Sequence, residues 1–129
     1  MDLRQILSLL LMQGIYLSLG TNMGDREKNL LRAQELLTFY RIIIRKASSV
    51  YETAAWGKED QPSFLNQVLE VVTDLSPRFL LKRVGVIESE MGRIREEKWG
   101  QRLIDIDVLY YNNEVIDQKD FQVPHPEIQ

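Results

Sequence analysis

The segment GRIREEKWGQRLIDIDVLYY, residues 92–111, joins a basic stretch to a strand-like stretch. From Leu103 onward polar and apolar side chains alternate, which is typical of a β-strand with two unlike faces. Asp105 and Asp107 are two residues apart and share one face, and we expect that face to carry also Leu103, Leu109 and Tyr111. The opposite face is expected to pack in the core and carries Ile104, Ile106, Val108 and Tyr110.

The acidic pair on this strand needs a chemical explanation. Neighbouring carboxylates repel each other, and ionised carboxylates are costly to bury. The residues just before the strand supply the cations Arg93, Arg95, Lys98 and Arg102. Carboxylates can hold divalent cations and guanidinium groups bind phosphate, so the combination predicts a nucleotide–metal site. Taken separately, the acidic pair could lie on a solvated sheet edge and the basic stretch in a solvated loop.

Length and composition restrict the class of protein. The chain has 129 residues, 44% of them hydrophobic and 27% charged, which predicts one soluble globular domain with a sizeable core. A net charge of −3 argues against nucleic-acid binding through a basic surface. The absence of cysteine excludes disulfides and thiolate chemistry and is compatible with the cytoplasm. Residues 1–14 are too short to span a membrane and lack the pattern of a signal peptide, so we interpret them as an N-terminal extension.

Periodicity and capping signals place the remaining elements. We expect further strands at residues 15–19, 41–53 and 64–73. Asp25 is the expected N-cap of a helix that ends near Phe39. Ser76 and Pro77 begin a second helix, which Gly92 closes.

The order of these elements predicts the fold class. Strand–helix–strand–strand–helix–strand is the pattern of an α+β, ferredoxin-like βαββαβ fold, in which helices pack on an antiparallel sheet. After Tyr111, Asn112 and Asn113 predict a turn, and residues 114–116 are expected to return as a C-terminal hairpin. Unrelated functions use this fold, so the fold alone does not identify the activity.

Two isolated polar residues are further candidates. Asn66 shares a strand face with Phe64 and Val68, where an amide is either satisfied within the fold or held for a ligand. His125, the single histidine, lies between two prolines that restrict its backbone. A histidine held in this way is a candidate for a fixed hydrogen bond to phosphate, although a packed surface residue is the ordinary alternative.

The sequence resembles the 6-hydroxymethyl-7,8-dihydropterin pyrophosphokinase family. The matching motifs occur in order from Ile15 to Pro126 and are YLSLGTNMGD, SSVYET, QPSFLNQV, GRIREEKWGQRLIDIDVLYYNNEVID and VPHP. The block around RLIDIDVLYY is the most specific of them. The resemblance implies transfer of the diphosphoryl group of ATP to the hydroxymethyl group of a reduced pterin in folate biosynthesis, leaving AMP.

The resemblance also implies roles for individual residues. It implies that two Mg²⁺ ions are held by Asp105 and Asp107. The implied catalytic set is Arg93, Arg102, Asp105 and Asp107. The implied nucleotide-binding set is Glu88, Arg93, Arg95, Trp99, Arg102 and His125. The implied pterin-binding set is Thr53, Trp56, Gly57, Phe64 and Asn66.

The chain departs from the family pattern in several places. Ala54 and Ala55 replace common prolines, Pro126 replaces a common tyrosine, and the loop from Arg95 to Trp99 is a residue short. Family members continue past position 129 with a second aromatic wall of the pterin site, so we expect the 15–129 domain to be short at its C-terminus. A binding module of the same fold, or a degenerate relative that binds ATP and magnesium without turnover, is the alternative. We expect a cytoplasmic monomer with no nucleic-acid or membrane partner.

Overall fold

The computed structural model describes residues 14–55, 61–92 and 103–126. Within these ranges two helices and seven strands follow one another along the chain. They are β1 (Ile15–Thr21), α1 (Arg26–Phe39), β2 (Ile43–Ala47), β3 (Tyr51–Thr53), β4 (Phe64–Val72), α2 (Pro77–Glu90), β5 (Asp105–Tyr111), β6 (Ile116–Gln118) and β7 (Phe121–Val123).

Both helices begin at the residues that the capping signals predict. The Asp25 side chain accepts a hydrogen bond from the Lys28 amide at 3.2 Å, and Ser76 caps α2, with Pro77 at its first position. Gly92 follows α2 with a φ of +80°, a left-handed conformation that glycine adopts without strain. Each helix has 14 residues, and none in the described ranges is long and apolar enough to cross a membrane.

The main sheet is antiparallel, with the strand order β2–β4–β1–β5. The short strand β3 pairs with the first residues of β4, along the same edge of β4 that pairs with β2. Its core face carries fully buried residues such as Leu17, Leu19 and Leu69, which pack with Leu37 of α1 and Leu80 of α2. The helices therefore cover one face of the sheet and leave the other face open. This arrangement confirms the predicted α+β, ferredoxin-like fold.

The single strand predicted at residues 41–53 is wrong, because the chain forms two strands there. The break falls at Ser48, which bonds to β4 through its backbone and its side chain. Its amide donates to the Val68 carbonyl at 2.8 Å, and its Oγ accepts from the Val68 amide at 2.9 Å. The buried Gln67 donates to the Ser48 carbonyl at 2.9 Å and so holds the break against the sheet.

The predicted faces of Tyr110 and Tyr111 are also wrong. Tyr16 pairs with Tyr110, but Leu17 pairs with Val108, so Leu109 is an extra residue in β5. Such a β-bulge shifts the alternation of side chains by one position. Tyr111 is consequently buried and donates to the Leu75 carbonyl, whereas Tyr110 lies on the open face, edge-on to Tyr16.

The C-terminal hairpin forms, but between strands other than those expected. Residues 114–116 were expected to return along β5, whereas β6 pairs with β7. Asn112 forms part of the predicted turn and has a positive φ of 52°, which asparagine tolerates. The His125 amide donates to the Leu109 carbonyl at 2.9 Å, which ties the chain after the hairpin to the outer edge of β5.

Candidate active site

The polar residues of the open face lie in a row across three adjacent strands, β4, β1 and β5. Gly20 of β1 pairs with Asn66 of β4 on one side and with Asp105 of β5 on the other. Adjacent strands are about 4.8 Å apart, so Asn66 and Asp105 are separated by roughly 10 Å at the backbone. Glycine has no side chain to fill this interval. The row therefore has an amide at one end, an acid at the other and a residue without a side chain between them.

Asp107 lies on the same face as Asp105, next to Ser18 of β1, as the alternation predicts. Its side chain is 55% exposed, and its Oδ1 is 3.9 Å from His125 Nε2. The histidine comes from the segment after the hairpin, so the fold brings together two predicted site residues that are 18 positions apart. An imidazole beside a carboxylate can carry a positive charge or donate a hydrogen bond to an anion.

Glu88 lies near the end of α2 and reaches β5. Its Oε2 accepts a hydrogen bond from the Ile106 amide at 3.0 Å. Ile106 stands between the two aspartates, and its side chain is buried in the core. This contact fixes the backbone of β5 at the place from which both acids project.

A cavity of about 260 Å³ lies beside Asp107, between the outer edge of β5, α2 and the hairpin. Its apolar lining includes Leu81 and Phe121, and its polar lining includes Lys119, Gln122 and His125. Cavities with apolar walls and a few polar groups are typical of sites for small ligands. Because Asp107 also lines the cavity, the open face and the cavity meet at this carboxylate.

The opposite end of the row is ordered by hydrogen bonds to β3. The Asn66 side-chain amide donates to Thr53 Oγ1 at 2.9 Å and to the Tyr51 carbonyl at 3.2 Å. These bonds leave Oδ1 directed over Gly20, where it would be 3.5 Å from a Cβ on that residue. Phe64 Cδ1 is 3.6 Å from the same point, so an aromatic edge and an amide oxygen border the same space.

The structure thus gathers Thr53, Phe64, Asn66, Asp105, Asp107 and His125 around one surface, with Glu88 supporting it from α2. The other predicted site residues lie outside the described residues and are Trp56, Gly57, Arg93, Arg95, Trp99 and Arg102.

Neither Gly20 nor the lining of the cavity can be recognised as functional from the sequence pattern. The predicted strand ends at residue 19, but β1 continues to Thr21 and so includes Gly20. Leu81 and Phe121 have the apolar character of ordinary core residues, so only their placement around a cavity distinguishes them. The pairing of the glycine with two polar residues is a property of strand register.

Comparisons with known proteins identify the family of the chain. A profile of the family described as "7,8-dihydro-6-hydroxymethylpterin-pyrophosphokinase (HPPK)" matches residues 16–129. The chain is similar to proteins named 2-amino-4-hydroxy-6-hydroxymethyldihydropteridine pyrophosphokinase from three bacteria. Identity is 49% with that of Aquifex aeolicus, over 89% of this chain and 71% of the relative. Identity is 46% with that of Bacillus subtilis, over 86% of this chain and 67% of the relative. Identity is 41% with that of Methylorubrum extorquens, over 85% of this chain and 70% of the relative.

Proposed function

Because the chain belongs to the 7,8-dihydro-6-hydroxymethylpterin-pyrophosphokinase family, we propose that the open face of its sheet is where this ATP-dependent transferase of folate synthesis carries out its reaction. The pterin hydroxyl oxygen attacks the β-phosphorus of ATP, the bond from that phosphorus to the α,β-bridging oxygen breaks, and AMP leaves. The hydroxyl proton is released and the pterin diphosphate is formed. The single observation that carries the placement is the row Asn66–Gly20–Asp105 across neighbouring strands.

The pterin is assigned to the space over Gly20. A flat heterocycle there has the Phe64 ring at its edge and Asn66 Oδ1 as an acceptor for its N–H groups. Thr53 and the Tyr51 carbonyl hold the amide in this orientation, so little side-chain entropy is lost when the ligand binds. From this position the hydroxymethyl group extends toward Asp105. Trp56 and Gly57 are proposed to complete the pterin-binding set.

The nucleotide is assigned to the cavity beside β5. The walls formed by Leu81 and Phe121 suit the base, and Lys119 and His125 suit anionic or polar groups near it. Asp107 stands where the cavity opens onto the sheet face, so a triphosphate leaving the cavity passes the acidic pair. Glu88 is proposed to act by fixing the β5 backbone. Arg93 and Arg102 are proposed to bind the phosphates, and Arg95 and Trp99 are proposed to complete the nucleotide-binding set.

The acidic pair fits magnesium chemically. Carboxylate oxygens are hard ligands, and Mg²⁺ is commonly held by one or two carboxylates together with water and substrate phosphates. Asp105 and Asp107 share the open face of β5 and so offer two carboxylates from one strand. We propose that both carboxylates hold the two Mg²⁺ ions of the family. When bound, Mg²⁺ neutralises phosphate charge and orients the reacting oxygens.

The chain's own residues contribute orientation and charge. Asp105 and Asp107 lie on β5, and each has buried residues on both sides along the chain, so core packing holds their Cα positions. His125 is fixed through its own backbone amide to the same strand. Rigid placement of this kind lowers the entropic cost of bringing two substrates into line.

We further propose that the protein acts as a cytoplasmic monomer without nucleic-acid partners. The net charge of −3 disfavours a phosphate-backbone surface. Size-exclusion chromatography with light scattering tests the oligomeric state, and a dimer at micromolar concentration would contradict it.

The direct test is a product assay. The purified chain is incubated with ATP, MgCl₂ and 6-hydroxymethyl-7,8-dihydropterin, and AMP and ADP are separated by ion-exchange chromatography. We expect AMP in amounts equal to the pterin diphosphate formed, and no AMP when either the pterin or magnesium is omitted. Magnesium-dependent nucleotide binding without AMP would favour the degenerate relative, and absence of both would contradict the proposed site.

A further inference from the structure

A second polar cluster lies at the N-terminus of α1, away from the acidic pair. Arg26 Nη1 donates to the Ser63 carbonyl at 2.9 Å and to Ser63 Oγ at 3.0 Å, and it lies 3.2 Å from Glu52 Oε2. Ser63 Oγ in turn donates to the same Glu52 oxygen at 2.6 Å. We call Arg26, Glu52 and Ser63 the Arg26 clamp. It connects the first residue of a helix, the middle of β3 and the residue before β4.

The segment that the clamp holds is also anchored by the loop after β1. Asn22, of which only 1% is exposed, donates through Nδ2 to the Pro62 carbonyl at 3.1 Å. Asn29 of α1 orders that loop by donating to Thr21 Oγ1 at 3.1 Å and to the Met23 carbonyl at 2.7 Å. The clamp thus acts on a segment whose position is already tied to the end of β1.

The clamp residues are the immediate neighbours of the proposed pterin contacts. Ser63 precedes Phe64, and Glu52 stands between Tyr51 and Thr53, which both accept hydrogen bonds from Asn66. Thr53 and Phe64 are also paired across β3 and β4. A shift of Ser63 or Glu52 therefore moves the aromatic edge and the amide together, relative to Gly20.

We propose that the Arg26 clamp is a set of positioning residues for the pterin. In this proposal the clamp sets the positions of β3 and of the start of β4 relative to Gly20, and its residues contact neither substrate. The proposal rests on the assignment of the pterin to the space over Gly20. It implies a selective effect, because the nucleotide cavity lies on the far side of β1 and β5 and shares no residue with the clamp.

A purely structural ion pair makes a different prediction. Arg26 and Glu52 side chains are 30% and 59% exposed, and exposed ion pairs contribute little to stability. Arg32 and Glu35 form a second exposed pair on the same helix, at 3.3 Å, and neither residue belongs to the proposed pterin-binding set. If the clamp were only a surface ion pair, removing Arg26 and removing Arg32 would have equally small effects.

The experiment compares Arg26→Gln and Ser63→Ala with Arg32→Gln as the matched control. We expect the KM for 6-hydroxymethyl-7,8-dihydropterin to rise about fivefold or more in both clamp variants, because small displacements of positioning groups are costly. The KM for ATP and the KM values of Arg32→Gln should change by less than about twofold. Arg26→Lys, which retains the charge but not the fork of donors, should fall between the wild type and Arg26→Gln.

An unchanged pterin KM in a folded Arg26→Gln or Ser63→Ala variant would overturn the proposal, as would an equal rise in the KM for ATP. Should Arg26→Gln fail to fold, Ser63→Ala decides, because it removes one oxygen and leaves the ion pair in place. If the wild type itself formed no AMP, that result would instead contradict the proposed function. The two failures are therefore distinguishable.

Discussion

The two faces of the sheet are built from the same strands but have opposite compositions. On the helix-covered face Leu17 and Leu19 are fully buried, whereas on the open face the alternate positions of β1 are Ser18 and Gly20. In β5 the buried Ile106 separates two acids. Because side chains alternate along a strand, adjacent residues can serve stability and chemistry separately.

The energetic consequence is that the two faces can be perturbed independently. Burying a leucine contributes about 1.5–3 kcal/mol to folding. The paired aspartates oppose this slightly through mutual repulsion, which a bound cation reduces. A substitution should therefore change either the free energy of unfolding or the kinetics, depending on the face it occupies.

The largest effect is expected for Asp107→Asn. Loss of one carboxylate ligand should remove about 3 kcal/mol of transition-state stabilisation, which lowers turnover on the order of 100-fold. The thermal midpoint should stay the same or rise, because repulsion with Asp105 is removed. The checks are AMP formation and differential scanning calorimetry. Wild-type turnover in this variant would remove Asp107 from the mechanism.

Leu19→Ala on the core face is expected to have an effect of comparable size, but on the free energy of unfolding rather than on turnover. Leu19 is fully buried, and large-to-small substitutions in cores cost about 2–5 kcal/mol in the free energy of unfolding. Ser18→Ala, one residue away on the open face, should change this free energy by less than about 0.5 kcal/mol. Urea denaturation measures both variants. Equal destabilisation by the two would show that the faces are not independent.

Gly20 provides a smaller and more specific test. A Cβ at this position makes ordinary contacts of 3.5 and 3.6 Å with the fold, so Gly20→Ala should fold normally. The larger Gly20→Val occupies the proposed pterin space and should raise the pterin KM about tenfold. Gly85→Ala, whose Cβ would meet no atom within 4 Å, is the control. An unchanged pterin KM in Gly20→Val would place the pterin elsewhere.

The smallest effect is expected from the charge of Glu52. The hydrogen bond from Ser63 and the nearby Arg26 lower the pKa of this carboxyl below its ordinary value of 4.5. A depressed folded-state pKa stabilises the fold above pH 4.5, and this contribution is lost as the pH falls through the folded-state pKa. The stability difference between the wild type and Glu52→Gln should thus vanish at low pH. A difference that grows on acidification would contradict this linkage.

Local signals predicted the helices and the acidic face correctly. Asp25, Ser76 and Gly92 act through hydrogen bonds or dihedral angles within a few residues, so their roles can be deduced from the sequence. The shared face of Asp105 and Asp107 follows from the period of a strand. These features depend on interactions between residues that are close to each other in the sequence.

The sequence-based predictions are wrong where the local structure depends on residues that are far apart in the sequence. The bulge at Leu109 depends on how β5 pairs with β1, and it exchanges the faces of Tyr110 and Tyr111. The break at Ser48 depends on bonds to Val68, which is 20 residues away. The cavity and the Gly20 row likewise arise from packing and register, which neither composition nor periodicity specifies.

The central claim is that the acidic pair on the open face binds ATP through magnesium. Isothermal titration calorimetry with a non-hydrolysable ATP analogue, with and without MgCl₂, tests it most directly. We predict that the wild type binds the analogue tightly only when magnesium is present, and that Asp105→Asn/Asp107→Asn loses this dependence. Equal affinity of the wild type with and without magnesium, or an unchanged magnesium dependence in the double variant, would contradict the account.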